Sequence, residues 1–203
     1  IISSAYDEEF HARDLLTSLV LLTRHDTARR TSYLHARDAL LRLVELGVVP
    51  VVNENDTVTV DEIKFGDNDT LAALVSCLVS ADLCVTLSDI DGLYTANPSL
   101  DPTAELIPVV EKIDARIIGS AGDSTTAVGT GGMITKIRSS RILMTAGIRS
   151  VICSGAEERP LVRLARGERV GTVFVPPADR LEIAPRKLWI ALGDSVHLSL
   201  IHI

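Results

Sequence analysis

Short apolar runs alternate along this chain with segments of helical periodicity, and no other feature constrains its fold as strongly. The runs VVPVVN (48–53), LCVTLSDI (83–90) and RSVICSG (149–155) predict strands, and residues 133–147 predict a helix that ends at Gly147. This alternation predicts an α/β fold: an open, mostly parallel sheet sandwiched by helices. Aromatic residues make up only 3 % of the chain, and the apolar bulk comes from Val, Ile, Leu and Ala, which suits parallel strands buried on both faces.

The remaining segments fit the same pattern. YLHARDALLRLVEL (33–46) predicts a helix that Gly47 ends, and residues 66–81 predict a loop that leads into a helix. Either Asp69 or Thr70 is expected to cap that second helix. Its predicted core face consists of Leu71, Leu74, Val75 and Leu78. The other predicted elements are an exposed hairpin or flap at 57–65, a long excursion with one short helix at 99–128, a short helix at 159–167 and a last strand at 172–176.

Charge and cysteine usage exclude several classes of protein. Twenty basic and 27 acidic residues give a net charge of −7, and no stretch is basic enough for a nucleic-acid surface, so an anionic ligand needs a local site. No apolar run reaches the length that spans a membrane, and no membrane partner is expected. Cys77, Cys84 and Cys153 are odd in number, widely spaced and set in apolar segments. They are typical of reduced core residues in a cytoplasmic protein.

The segment GTGGMITK (129–136) is the first candidate for a ligand site. If a helix begins near Met133, the pair Gly131 and Gly132 lets a phosphate group approach the free N–H groups of its first turn. Lys136 lies one turn further on, and helical side chains lean toward the amino end, so its ammonium group reaches the same anion. The alternative interpretation is an ordinary flexible turn before a surface lysine.

Polar turns beside apolar elements are the second and third candidates. NEND (53–56) and GDND (66–69) carry carboxylate and amide side chains in two turns. One interpretation is that these side chains hold an amine, a magnesium ion or a catalytic lysine. The alternative is that they form only turns and a helix cap. LSDIDGLY (87–94) brings Ser88 and Asp89 to the end of a strand, unless it is simply the exit from that strand. All three candidates belong where an α/β sheet gathers its ligands, beyond the carboxyl ends of its strands.

Five motifs together resemble the amino acid kinase family. They are HARDALLRLVELGVVPVVNENDTV (35–58), EIKFGDNDTLAALV (62–75), LSDIDGLYTANP (87–98), AGDS with GTGGMITK (121–136), and AGI (146–148). Their order is that of the family, which implies an amino acid kinase domain over residues 1–190. The resemblance implies a phosphotransferase with a carboxyl group as acceptor, which phosphorylates the γ-carboxylate of L-glutamate with ATP and Mg²⁺ in the first step of proline biosynthesis.

The resemblance also implies roles for individual residues. Asp56 and Asn68 resemble the family's glutamate-binding positions, and Asp69 resembles an aspartate that orients two catalytic lysines, of which Lys136 is one. Ser88 and Asp89 resemble residues that contact ATP. The nucleotide-phosphate loop is matched by Thr130, Gly131, Gly132, Met133, Ile134, Thr135 and Lys136.

The sequence departs from the family's pattern at both ends. The family's first strand with a glycine-rich turn that carries the other lysine, and its second glycine-rich turn with a serine that binds glutamate, are not matched. We therefore expect a partial domain that is essentially inactive on its own. Residues 191–203 are expected to be the start of a linker or an artefactual tail, without the family's PUA domain. The resemblance implies self-association into a homo-oligomer and proline as a feedback inhibitor. Two alternatives stay open: a family member acting on acetylglutamate, aspartate, carbamate or a nucleotide, and a non-catalytic nucleotide-binding module.

Overall fold

The computed structural model describes residues 2–23, 26, 29–55, 67–120 and 132–178, and the structural statements that follow concern these residues. In chain order the elements are α1 (Ile2–His11), β1 (Leu16–Leu22), α2 (Arg30–Glu45), β2 (Val48–Glu54), α3 (Asn68–Leu78), β3 (Leu83–Ser88), β4 (Val109–Val110), α4 (Ala115–Ser120), α5 (Met133–Ala146), β5 (Arg149–Ser154), α6 (Pro160–Ala165) and β6 (Thr172–Phe174). Each strand and helix predicted within these ranges is present. The predicted hairpin at 57–65 and the tail at 191–203 lie outside them.

The strands form a largely parallel arrangement, as predicted, but in two sheets within the described ranges. β1 and β2 pair in parallel, from Leu16 opposite Val48 to Leu22 opposite Glu54. The second sheet has the order β3-β5-β6-β4, in which β3 is parallel to β5 and β4 to β6. Among the described strands, β5 and β6 are the one pair that is antiparallel. An antiparallel strand is a common addition to an otherwise parallel sheet.

Helix α3 lies between the two sheets and contributes side chains to the core on both sides. Leu71, Leu74 and Leu78 pack with Leu22 of β1 and Leu40 of α2 in one apolar cluster. The opposite side of the helix contributes Ala73 and Cys77 to a second cluster, which also contains Cys84, Leu143 and Ile148. The predicted core face of this helix is therefore confirmed, and burial of each leucine contributes about 2 kcal/mol to stability.

The start of α3 corrects one prediction. Neither Asp69 nor Thr70 caps the helix; Asp67 does, because its extended backbone lets its carboxylate accept a hydrogen bond from the Thr70 N–H at 2.6 Å. Asp69 instead lies in the first helical turn, where its side chain is available for tertiary contacts. The predicted helix ends at Gly47 and Gly147 are confirmed, and both glycines have the left-handed backbone that ends a helix.

The three cysteines are free and buried, as the sequence predicts. Burial raises the pKa of Cys77 to about 12, with a smaller contribution from Cys84, so the Cys77 thiol stays protonated at neutral pH. Burial also raises the pKa of Cys84 and of Cys153. Among the described helices, none is both long enough and apolar enough to cross a membrane.

Candidate functional site

The amino ends of α3 and α5 meet at the edge of the sheet where β3 ends. Residues 79–82 alone connect α3 to β3, and residues 147–148 alone connect α5 to β5, so each helix runs back along its strand. Because β3 and β5 are parallel, both helices begin near the carboxyl ends of these strands. In an open α/β sheet this is where ligands bind. The two helices also pack directly against each other.

An ion pair joins the two helix starts. The Nζ atom of Lys136 lies 3.2 Å from Oδ2 of Asp69, and the two side chains are only 11 % and 13 % exposed, respectively. Low exposure limits screening by water, so the carboxylate holds the ammonium group more firmly than a surface pair would. The acidic turn and the glycine-rich segment, predicted as separate candidates, are thus in direct contact through these two residues.

Thr135 contributes a second contact to the same carboxylate, and the sequence did not predict it. Its Oγ1 atom lies 2.8 Å from Oδ2 of Asp69 and 2.7 Å from the carbonyl oxygen of Gly132. A hydroxyl group has one proton to donate, so these two oxygens compete for it. Thr135 is buried between the helices. The available signal was its position directly before Lys136, at the start of a predicted helix.

The start of α5 has the form that anion binding requires. Gly132 precedes the helix and has no side chain to cap it, whereas Asp67 caps α3. The Thr135 N–H donates to the Gly132 carbonyl. Because glycine has no side chain, the residue before the helix does not cap the N–H groups of Met133 and Ile134 in its first turn. Together with the Lys136 ammonium group they can neutralise a phosphate group.

The other predicted site residues differ in where they lie. Ser88 ends β3, and its hydroxyl donates to the exposed Asp89 carboxylate at 3.0 Å, so both belong to the same edge of the sheet. Asn68 is the first residue of α3, directly before Asp69 in the chain, and it is exposed. Asp56, Thr130 and Gly131 lie outside the described residues.

Within the described ranges, the protein alone does not provide a cluster of metal ligands. There, no three His, Cys, Asp or Glu side chains are grouped in a way that could hold a metal ion. Magnesium is usually bound by one or two carboxylates together with substrate phosphates. Asp89 is an exposed carboxylate at this edge and could contribute one such ligand.

Comparison with known proteins gives one family match and a set of close relatives. The model of the amino acid kinase family matches residues 1–154. Proteins named glutamate 5-kinase are 48 % identical in Citrifermentans bemidjiense, 50 % identical in Azoarcus sp. and 51 % identical in Pseudomonas aeruginosa, each over 187 residues. These alignments cover 92 % of this chain and 50 % of each relative. The chain thus spans about half the length of the curated relatives it matches.

Solved structures support the fold. An isopentenyl phosphate kinase superposes with a TM-score of 0.61 at 24 % identity, over 86 % of this chain and 65 % of that one. UMP kinase from Ureaplasma parvum superposes with a TM-score of 0.56 at 11 % identity, over 84 % of this chain and 65 % of that one. At such low identity the two structures bear on the fold alone, and they agree with the predicted α/β class.

Proposed function

The chain belongs to the amino acid kinase family, and from this premise we propose that the protein phosphorylates the γ-carboxylate of L-glutamate with ATP, yielding L-glutamyl 5-phosphate. The observation that carries the proposal is the shielded ion pair between Lys136 and Asp69 at the amino ends of two helices. Relatives at 48 %, 50 % and 51 % identity named glutamate 5-kinase supply the choice of acceptor. The reaction is the first step of proline biosynthesis.

The chemistry of this transfer needs charge neutralisation rather than a base. The γ-carboxyl group of glutamate is ionised at neutral pH, so it is already a nucleophile. The barrier comes from bringing one anion up to another and from the charge that spreads over the transferring phosphoryl group. Lys136 provides a cation for that charge, and the N–H groups of the first turn of α5 provide a positive dipole end.

Asp69 and Thr135 act in this proposal as positioning residues. Asp69 restricts the Lys136 side chain to one direction through the contact of 3.2 Å. The Thr135 hydroxyl, 2.8 Å from the same Oδ2 atom, restricts the carboxylate in turn. A lysine side chain has several rotatable bonds, and a fixed direction lowers the entropy that must be lost when the transition state forms.

The remaining predicted residues take the substrates in the proposal. Ser88, Asp89 and the segment from Thr130 to Lys136 contact ATP. Asp56 and Asn68 contact glutamate, since carboxylate and amide oxygens accept hydrogen bonds from its ammonium group. Mg²⁺ bound to the phosphates of ATP neutralises part of their charge. Proline inhibition, homo-oligomer formation and a kinase domain over residues 1–190 stay predictions.

The test is an assay of the protein expressed from the full reading frame that contains residues 1–203. Hydroxylamine traps an acyl phosphate as a hydroxamate, so product formation is measured with ATP, Mg²⁺ and glutamate. Aspartate and N-acetylglutamate serve as alternative acceptors in this assay. UMP would yield a diphosphate, which hydroxylamine does not trap, so ADP release is measured with UMP and with every other acceptor. Glutamine serves as the matched control without a γ-carboxylate. Among these acceptors, glutamate is expected to be the one that yields a hydroxamate. A preference for another acceptor, or ATP binding without turnover, would overturn the proposal.

A further inference from the structure

A polar cavity of about 550 Å³ lies at the opposite end of the α3 and α5 pair from the candidate site. Residues from the amino-terminal half of α2, from the carboxyl ends of α3 and α5 with the turns that follow them, and from positions 176–178 after β6 line it. They include Tyr33, Arg37, Asp82 and Arg149. An α-helix rises 1.5 Å per residue, so the cavity is separated from Asp69 by about 15 Å along α3. It is therefore a separate site with its own lining.

Arginine side chains dominate the charge of this cavity. Arg37 and Arg149 are its only described basic residues, Asp82 is its only described acidic residue, and the balance is positive. Within the described part of the chain, neither arginine forms an ion pair. Two unneutralised guanidinium groups beside one recess suit carboxylate or phosphate oxygens, which they bind through paired hydrogen bonds.

The carboxyl ends of α3 and α5 each bring a partial negative charge of about half a unit to the cavity wall, which is smaller than the full charge of either arginine. The N–H groups of Ser80 and Ala81 donate to the last carbonyl groups of α3, and those of Gly147 and Ile148 do the same for α5. Both ends are closed in this way by a Schellman-type arrangement of hydrogen bonds. Carbonyl oxygens that already accept a hydrogen bond attract a cation less strongly, and the two guanidinium groups still outnumber the single carboxylate among the described lining residues.

Neutral groups complete the lining beside Arg37. Burial is the main cause that raises the pKa of Tyr33; Cys77 raises it further and Arg37 opposes the shift, so the phenol stays a neutral donor at pH 7. The Cys77 thiol also remains protonated. Both side chains line the cavity and can face an anion without repelling it.

We propose that this cavity binds a small multivalent anion, a metabolite bearing carboxylate or phosphate groups, through Arg37 and Arg149. The volume falls within the range of small-molecule sites. Cys77 and Ile148 line the cavity and also belong to the core cluster between α3 and α5, so a ligand there contacts the same helix pair that carries Lys136 and Asp69. The proposal concerns binding and does not depend on which acceptor the protein phosphorylates.

The test is isothermal titration calorimetry on the protein expressed from the full reading frame, with citrate as the carboxylate probe and inorganic pyrophosphate as the phosphate probe. We expect Arg37→Gln and Arg149→Gln each to weaken binding by about tenfold or more, the loss of one charge-assisted contact. Arg42→Gln, on the same helix but outside the cavity, is the matched control and is expected to bind as the unaltered protein does.

A second variant separates this cavity from the candidate site, which also attracts anions. Lys136→Ala is expected to leave the titration at the cavity unchanged. Binding of only one probe would support the proposal and identify the ligand as carboxylate- or phosphate-bearing. The proposal is overturned if neither probe binds, or if binding is lost in Lys136→Ala and retained in both cavity variants. Circular dichroism of each variant verifies that the fold is intact.

Discussion

Asp69 and Lys136 lie 67 positions apart in the chain, yet Oδ2 of the aspartate and Nζ of the lysine are separated by 3.2 Å. The contact joins the first turn of α3 to the first turn of α5. The amino end of each helix is the positive end of its dipole. Lys136 adds a full positive charge near the start of α5, where no side chain caps the helix. Lys136 therefore places a positive charge at the start of α5, and the carboxylate of Asp69 fixes the direction of the lysine side chain.

The first prediction concerns the charge of Lys136. In the proposed reaction the ammonium group meets charge that develops as the phosphoryl group moves, so Lys136→Ala should lower kcat by about 10²–10³. The KM for glutamate should change little, because the lysine does not hold the acceptor. Steady-state kinetics with the hydroxamate assay measures both constants. Lys112→Ala, which removes an exposed lysine that belongs to neither α3 nor α5, is the control. A rise in KM at constant kcat would remove Lys136 from the transfer step.

The second prediction concerns the hydroxyl group of Thr135. Thr135→Val keeps the shape of the side chain and removes the donor that lies 2.8 Å from Asp69. We expect kcat to fall about tenfold, since one hydrogen bond to a charged group is worth roughly 1.5 kcal/mol. Thr135→Ser restores the hydroxyl and should recover most of the loss. If the serine variant is as slow as the valine variant, packing of the methyl group rather than the hydrogen bond is what matters.

Much of the fold follows from local sequence, but the central contacts of the site do not. Strand and helix types depend on periodicity and on breakers such as Gly47 and Gly147, all of which act over a few residues. The choice of Asp67 as the cap of α3 was missed because Asp67, Asp69 and Thr70 all suit that position, and only backbone geometry distinguishes them.

Contacts between elements that lie far apart in the chain could not be predicted from local sequence. Oδ2 of Asp69 contacts both Thr135 and Lys136, and this requires α3 and α5 to pack side by side in one register. No spacing in the sequence encodes that register. The reversed direction of β6 was also not predicted. The Thr172 hydroxyl, bonded to the Leu93 N–H and to the Ile107 carbonyl, ties that short strand to segments far away in the chain. Such a contact depends on the assembled sheet.

The third prediction compares the ends of α3 and α5. Ser80 and Gly147 occupy equivalent left-handed positions, with φ of 53° and 77°. A side chain in this conformation costs about 1 kcal/mol relative to glycine. Ser80→Gly should therefore raise the free energy of unfolding by roughly 0.5–1 kcal/mol, and Gly147→Ala should lower it by a similar amount. Urea denaturation measures both values. Equal effects of the same sign would contradict this account of the helix ends.

The fourth prediction follows from the raised pKa of Cys77, about 12 in the folded protein against an ordinary 9.0. Below pH 9 the thiol is protonated in both states and stability does not depend on it. As pH rises above 9, the unfolded chain loses this proton while the folded protein keeps it, so unfolding is favoured. The free energy of unfolding should then fall with a slope of up to about 1.4 kcal/mol per pH unit from this group.

Cys77→Ala isolates this contribution from the other groups that titrate in alkaline solution. The variant leaves a small cavity and should be less stable than the unaltered protein at pH 8. Because it has no thiol at position 77 to titrate, its stability should fall less steeply between pH 9 and 11, so the two curves converge. Urea denaturation at intervals of half a pH unit measures both curves. Curves that stay parallel over this range would mean that the Cys77 thiol ionises as readily in the folded protein as in the unfolded chain.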